Sequence, residues 1–304
     1  MLDARQLEAL AAVIETGSFG AAAKALSVTL AAVSLRIKSL ESTLGQRLLV
    51  RGKNVRATPA GQALLGHVKQ VRLMEADLVS SLPGSGAGQA ADMQTLSVAV
   101  NADSLISWFL SGVAPALQKH RLLLDIVIDD QDHTHDALKN GDVVGCVTTL
   151  SQAMRGCVAE PLGVMRYRCM ASTELMAQWA EPGAGTAMSL HRLLKSPALI
   201  FNRKDALQDN YLAQHFNLRD ALYPRHFVPA VDAFELALEL GLGWGMVPDL
   251  LLARREHRPT LHEVVPDRPV DVSLYWQHWV REPLSAQRLT QAVKQAARER
   301  LLQL

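Results

Sequence analysis

Residues 18–61, SFGAAAKALSVTLAAVSLRIKSLESTLGQRLLVRGKNVRATPAG, constrain this chain more than any other stretch. Ala21, Ala22, Ala25 and Leu26 recur at helical spacing, and small residues there let a neighbouring helix approach closely. Leu26-Ser27-Val28 fits a tight turn, and the Thr29 hydroxyl suits the cap of a second helix, because it can accept from a free first-turn amide. Within residues 29–44, Val33, Ile37, Leu40 and Leu44 are spaced 4, 3 and 4 apart, which makes one buried stripe. The other face shows Thr29, Ser34, Arg36, Lys38 and Ser39, a hydroxylic and basic surface of the kind that enters a major groove. Gly45 stops the helix, and Leu48-Leu49-Val50 make a short strand. Arg51-Gly52-Lys53-Asn54-Val55-Arg56 form a basic hairpin tip, placed to lie over a sugar-phosphate backbone. Residues 2–17, with Leu7, Leu10, Val13 and Ile14 on one face, supply the helix that closes this core. Residues 1–58 therefore read as a winged helix-turn-helix that binds double-stranded DNA. The expected contacts are Ser27, Thr29, Ser34, Arg36, Lys38, Arg51 and Lys53.

A helical pair with scattered Arg and Lys is more often a plain solvated surface, so charge has to decide. Residues 1–65 hold eight Arg or Lys and four Asp or Glu, net +4; the rest hold 23 and 26, net −3; together they give the chain's +1. Basic charge is concentrated where a phosphate-binding module needs it.

The 304 residues, 49% hydrophobic, suffice for two or three domains with real cores. The N-terminus enters Leu2-Asp3-Ala4-Arg5 without a secretory pattern. The most apolar run, 234–253, carries Glu235, Glu239 and Asp249 and is broken by Gly241, Gly243, Gly245 and Pro248, which opposes a membrane span. Cys146, Cys157 and Cys169 are odd in number and lack CxxC spacing, so neither a disulfide framework nor a zinc site is expected. A reducing cytoplasm is the natural setting.

Thr58-Pro59 is a cap followed by proline at the first helical position, and the helix it opens spans 59–82. Leu64, Leu65, Val68, Val71, Leu78 and Val79 need cover, and a second copy is the simplest source, so this linker helix is expected to build a homodimer. Packing on its own chain is the alternative. Leu82-Pro83-Gly84-Ser85-Gly86-Ala87-Gly88 opens a flexible linker, 83–91.

From 92 to 304 the grammar becomes α/β. Strands at 95–100, 122–128 and 143–148 alternate with helices at 105–119 and 133–140, which implies a parallel sheet. The pattern is vaguer between about 166 and 266, with strands at 198–201, 227–231 and 243–248 and a helix at 232–240; a strand at 270–279 and a helix at 283–303 close the chain. Two lobes fit this order: lobe 1 at about 92–165 and 267–304, lobe 2 at about 166–266.

Ligands of open parallel sheets sit beyond the carboxyl ends of the strands. Those ends carry Asn101-Ala102-Asp103-Ser104, then Asp129-Asp130, then Thr148-Thr149, and Asn202-Arg203-Lys204-Asp205 in the second lobe. Helix-start amides with the Ser104 hydroxyl suit a carboxylate. Asp129, Asp130 or Asp205 suits an ammonium or a cationic side chain. Trp108 and Trp244 are candidate walls for an aliphatic stem or a cation. The expected effector site is Asn101, Asp103, Ser104, Trp108, Asp129, Asp130, Thr148, Thr149 and Asp205. Solvated acidic loops and a core tryptophan are the bland reading of the same residues.

Several of these motifs carry a resemblance. Ser18, Ala22 and Leu26, then Ala32-Val33-Ser34, Ile37, Leu40-Glu41, Leu44-Gly45, Leu48-Leu49, Arg51 and Thr58-Pro59-Ala60-Gly61 resemble the N-terminal signature of LysR-type transcriptional regulators. That family implies a winged helix-turn-helix, a dimerising linker helix and an effector domain with the two-lobed periplasmic-binding-protein fold. Leu30 and Leu35 depart from it, since members often carry Gln there. Leucine cannot hydrogen-bond a base edge, so readout is expected to lean on Ser34, Arg36, thymine methyl groups and DNA shape. Asn101–Leu105 with Trp108-Phe109, Gly141-Asp142-Val143-Val144-Gly145, Lys204-Asp205 with Asp209, Gly241-Leu242-Gly243-Trp244-Gly245 with Pro248, and Tyr275-Trp276-Gln277 with Trp279 resemble the ArgP/LysG branch. The branch implies a basic amino acid effector, lysine or arginine, control of an exporter gene, and no cofactor. Further expected partners are RNA polymerase and, beyond the dimer, a dimer of dimers; no membrane partner is expected.

Rival classes fare worse. His133-Thr134-His135 lacks a third metal ligand nearby, and no G-x-S-x-G, P-loop or Rossmann glycine pattern occurs, so an enzyme is not expected. A transport solute-binding protein needs export and has no use for a basic head. The nearest rival is an architectural or non-specific DNA-binding protein with an unused effector pocket, for which Leu30 and Leu35 are the motive.

Overall fold

The computed structural model describes residues 2–50, 52, 55–82, 93–128, 137–138, 140–179, 189–253 and 260–303. The expected contacts Arg51, Lys53, Asp129 and Asp130, the pair His133 and His135, and the linker 83–91 lie outside the described residues.

The head is built from α1 (Ala4–Thr16), α2 (Phe19–Ala25) and α3 (Leu30–Leu44), each opened by a side chain that accepts a first-turn amide. Asp3 takes Gln6 N, Ser18 takes Ala21 N and Thr29 takes Ala32 N. Gly17 and Gly45 follow α1 and α3 in left-handed conformation. The stripe Val33, Ile37 and Leu40 is buried against Leu10, Val13, Ala22 and Ala23. Two short antiparallel strands, β1 (Leu49–Val50) and β2 (Arg56–Ala57), form the wing. The Glu41 carboxylate accepts from Leu48 N and Leu49 N and so holds the entry to the wing.

Thr58 caps α4 (Pro59–Ser81) with proline in the first turn, as the sequence pattern requires. The apolar stripe of α4 divides. Leu65 and Val68 are buried with Ala11 of the same head, and Leu73 packs against the effector-domain core. Met74, Leu78, Val79 and Leu82 remain exposed. The same helix touches the rest of its own chain through polar groups as well: Lys69 pairs with Asp142 at 2.6 Å, and Asp77 accepts from Ser285 N at 3.0 Å. Backbones meet where Gly66 faces Gly141. A Cβ on Gly141, whose φ is +70°, would lie 2.7 Å from Gly66 Cα, so no larger residue fits at this crossing.

In the effector domain, β3 (Gln94–Ala99) pairs in parallel with β4 (Leu122–Val127) and β5 (Gly145–Thr148). Between β3 and β4 runs one helical segment: α5 (Ala102–Ser104), a π-helical turn over Leu105–Phe109, and α6 (Leu110–His120). A 16-residue strand, β6 (Cys157–Ser172), crosses out, and further along the chain β11 (Val270–Trp279) returns beside it in antiparallel register. The described elements between them are α7 (Thr173–Trp179), α8 (Leu190–Lys195), β7 (Ala198–Ile200), α9 (Leu207–Phe216), β8 (Arg225–Phe227), α10 (Val231–Glu239), β9 (Gly245–Pro248), α11 (Asp249–Leu252) and β10 (Leu261–Glu263). α12 (Leu284–Arg300) then packs on α6. The larger sheet runs β10-β6-β11-β5-β3-β4, with β9 also on β6; β7 and β8 pair in parallel and join β9 through a bridge from Ala198 to Trp244.

This is the mixed α/β, two-lobed architecture that the pattern implies. Two details differ. β6 is interrupted in its middle by Pro161 and by Gly163 at φ +137°; Met165 to Cys169 alternate buried and half-buried residues, and only its last four residues are buried in a row. β8 lies two residues earlier than expected, with all three residues exposed.

Candidate functional site

The outward surface of α3 is the first candidate. Leu30 and Leu35 are 55% and 69% exposed, Lys38 is exposed and Ser34 half-buried. At about 100° per residue, Ser34 and Lys38 share one face, while Arg36, two residues from each, falls roughly 160° away. Arg36 is half-buried on that opposite flank, so it is not part of the Ser34–Lys38 face as the sequence suggested. Ser39, also assigned to that face, accepts from Gln6 Nε2 at 3.0 Å and ties α3 to α1. Thr29 acts as the helix cap, and Ser27 sits exposed in the turn at φ +54°. Among the described residues, neither Arg36 nor Lys38 makes an ion pair, so both charges remain available to phosphate.

The second candidate is a solvent-open cleft lined by Asp103, Phe201, Asp205, Leu207, Val231, Phe234, Glu235 and the β9 residues Met246–Pro248. Three carboxylates enter it from three elements: Asp103 from α5, Asp205 from the turn after β7 and Glu235 from α10. Asp205 is anchored by backbone: Phe201 N donates to Oδ2 at 3.1 Å and Leu207 N to Oδ1 at 3.0 Å. Asp103 accepts the Tyr167 hydroxyl at 2.9 Å. Burial raises the Asp103 carboxyl to about 6; the Tyr167 bond works against that rise, and the charges of Asp205 and Glu235 add to it. Burial also holds the Tyr167 phenol far above its usual range, so it stays a donor.

Beside the carboxylates lies the start of the α5–α6 segment. Asn101 Oδ1 and the fully buried Ser104 Oγ have no hydrogen-bond partner among the described residues. Beneath the cleft, Arg168 of β6 grips Asp249 at 2.7 Å and Glu263 at 3.0 Å, and Arg166 binds Asp271 of β11 through two nitrogens at 2.7 Å.

The structure thus brings Asp103 and Asp205 together; Asn101 and Ser104 are neighbours of Asp103 in the chain but do not themselves line the cleft. It does not bring in the others. Trp108 is fully buried in the core against Phe109 and does not line the cleft, so it is not a wall; Trp244 is equally buried and donates to Leu193 O. Thr148 is buried and caps its own turn by accepting from Leu150 N, and neither it nor Thr149 lines the cleft. Tyr167 and Glu235 were missed. Tyr167 sits in the middle of a strand rather than at its end. Glu235 lies on a helix rather than at a strand end, where strand-end reasoning does not look. Among the described residues no group of three or more His, Cys, Asp or Glu could hold a metal ion, and no single helix is long and apolar enough to cross a membrane.

Comparison with known proteins adds names to this geometry. Residues 4–62 match the model "Bacterial regulatory helix-turn-helix protein, lysR family", and residues 90–298 match "LysR substrate binding domain". The HTH-type transcriptional regulator ArgP of Pseudomonas fluorescens is 40% identical over 92% of this chain and 91% of its own. The crystal structure of ArgP from Mycobacterium tuberculosis superposes with a TM-score of 0.90 at 40% identity, covering 100% of both chains. The full-length LysG of Corynebacterium glutamicum with bound effector Arg gives 0.83 at 31% identity, covering 99% of each.

Proposed function

This chain belongs to the LysR family of DNA-binding transcriptional regulators, and on that premise we propose that its effector is a basic amino acid, lysine or arginine, held in the carboxylate-lined cleft. The observation that carries the reading is the convergence of Asp103, Asp205 and Glu235 on one cavity. Three acids there suit two cationic groups on one small molecule, an α-ammonium and a charged side-chain end. Asn101, Ser104 and the amides that open α5 take its carboxylate, and Phe201, Phe234 and Met246 flank its methylene stem. The bound arginine in LysG of Corynebacterium glutamicum supports this ligand class.

The protein acts as a regulator rather than an enzyme, in the cytoplasm, on double-stranded DNA and with RNA polymerase. It uses no cofactor. The exposed end of α4, Met74 to Leu82, is the surface for a second copy, giving a homodimer and then a dimer of dimers. Its target includes an amino acid exporter gene, whose product would remove the molecule that the cleft senses. Contacts within one chain link cleft to head. Asp103 opens the segment that becomes α6; α6 packs on α12; Asp77 of α4 bonds the first turn of α12. A ligand that draws Asp103 towards Asp205 biases the position of α12 and hence of α4.

Calorimetry on the full-length protein with lysine, arginine and glutamate tests the reading. Heat with the first two and none with glutamate is expected. No heat with either base removes the ligand class. By linkage, a duplex that the protein binds specifically must change arginine affinity by the factor that arginine changes affinity for that duplex.

A further inference from the structure

We propose that Leu30 and Leu35 are specificity-determining residues that read the 5-methyl groups of thymine in the major groove. This rests on DNA binding by the head and is independent of the effector.

α3 has 15 residues and buries Val33, Ile37 and Leu40 on one side. Packing therefore gives no reason for Leu35, 69% exposed and opposite that stripe; Leu30, 55% exposed, stands at the helix start about 20° from the direction of Ile37, at the edge of the buried side. Around the helix an arc of about 140° runs Leu30, Ser34, Lys38, Ala31, Leu35, from the edge of the buried stripe to the side opposite it. Single exposed leucines are ordinary on protein surfaces. These two bound the arc that a helix-turn-helix turns towards its duplex, with an exposed lysine between them.

The rest of that arc narrows what it can read. No Asn, Gln or Asp occurs in α3, and its one acid, Glu41, is bonded to the wing amides. The face thus lacks the side chains that pair with adenine or accept from cytosine. One hydroxyl, one ammonium and apolar carbon remain. Apolar carbon has one base-specific partner in the major groove, the thymine methyl. Charge complementarity holds the duplex in place: Lys24, Arg36, Lys38, Arg47 and Arg56 belong to a head of net +4 and supply a sequence-independent grip on phosphate. The leucines then choose among sequences already held.

The test uses the full-length protein and a duplex that it enriches from a random-sequence pool. Each thymine is replaced in turn by deoxyuridine, which removes the methyl group alone, and affinity is read by fluorescence anisotropy. At one or more positions per half-site the wild type should lose about fourfold, the value of one buried methyl group. Leu30→Ala or Leu35→Ala should bind the thymine and uracil duplexes equally at the matching position, with an unchanged melting temperature because both side chains are exposed. Uracil duplexes that all bind as tightly as their parent overturn the proposal. So do two alanine variants that both keep the full thymine preference. A pool that yields no enriched duplex overturns it together with sequence-specific DNA binding.

Discussion

On α3, Lys38 makes no ion pair among the described residues and Leu35 stands open to solvent, whereas in the cleft Asp205 takes two backbone amides and Asp103 takes the Tyr167 hydroxyl. The contrast follows from the two ligands. A duplex is a large polyanion that brings its own shape, so solvated side chains can settle on it and release counterions. A free amino acid offers few atoms, and its binding must offset the ordering of every group that grips it. Carboxylates already held by backbone leave less to order when it arrives. One surface is built to be completed by its partner; the other is built before its partner comes.

The largest expected effect follows from the double role of Asp205. Asp205→Ala removes a charge from the cleft and leaves the Phe201 and Leu207 amides without their acceptor. Arginine affinity should fall by about a hundredfold or more, and the melting temperature should fall with it, since hydrogen bonds to a charged group contribute about 1.5–3 kcal/mol each. Asp205→Asn separates the roles in part: its single amide oxygen can accept from one of the two amides while its NH2 faces the other, so part of the stability should return while affinity stays low. If Asp205→Ala weakened arginine binding and left melting unchanged, the cleft would not be preorganised and the comparison would fail.

A smaller effect, about tenfold, should come from pH. The Asp103 carboxyl is raised to about 6, chiefly by burial, against an ordinary 3.8. A cationic ligand binds its ionised form, so arginine affinity should be full at pH 7.5 and about tenfold weaker at pH 5, where roughly one carboxyl in ten is ionised. The sign for folding is opposite. A raised acid stabilises the unliganded protein below its unfolded value and loses that contribution as pH rises through 6. Tyr167→Phe deletes the bond that lowers the Asp103 value, so the midpoint of the affinity profile, read by calorimetry at several pH values, should move up. A profile flat from 5 to 7.5 would take Asp103 out of the cation site.

The sequence discloses these two surfaces unequally for the same reason. Everything in the head that depends on local chemistry is written locally: the Ser18, Thr29 and Thr58 caps, the Val33–Ile37–Leu40 stripe and the glycine stops all appear where the spacing places them. The cleft depends on chain crossings. Asp103 and Asp205 lie at strand ends, which topology alone locates, but Tyr167 is 64 residues from its partner Asp103 and in the middle of a strand, and Glu235 comes from a helix. Trp108 misled because aromatic rings suit both a core and a ligand wall, and only burial distinguishes them. The α4 stripe misled in part for a related reason. Periodicity says that a face is covered, not by what, and half of this one is covered by its own chain.

The smallest expected effects belong to the open surface, and they separate its two cations. Lys38 lies on the outward arc of α3, and Arg36 lies on the opposite flank, half-buried. Lys38→Ala should weaken binding to the enriched duplex and to random DNA by similar factors of a few-fold, and reduce the slope of log affinity against log salt by about one, as expected for one lost phosphate contact. Neither substitution should lower the melting temperature by more than about a degree, because surface changes of this kind fall within about ±0.5 kcal/mol. Arg36→Ala should change the slope less than Lys38→Ala, because Arg36 is half-buried and about 160° round the helix from Lys38. Equal slopes for the two variants would mean that the duplex reaches across that flank as well, and the arc assigned to base reading would have to be re-centred towards Arg36.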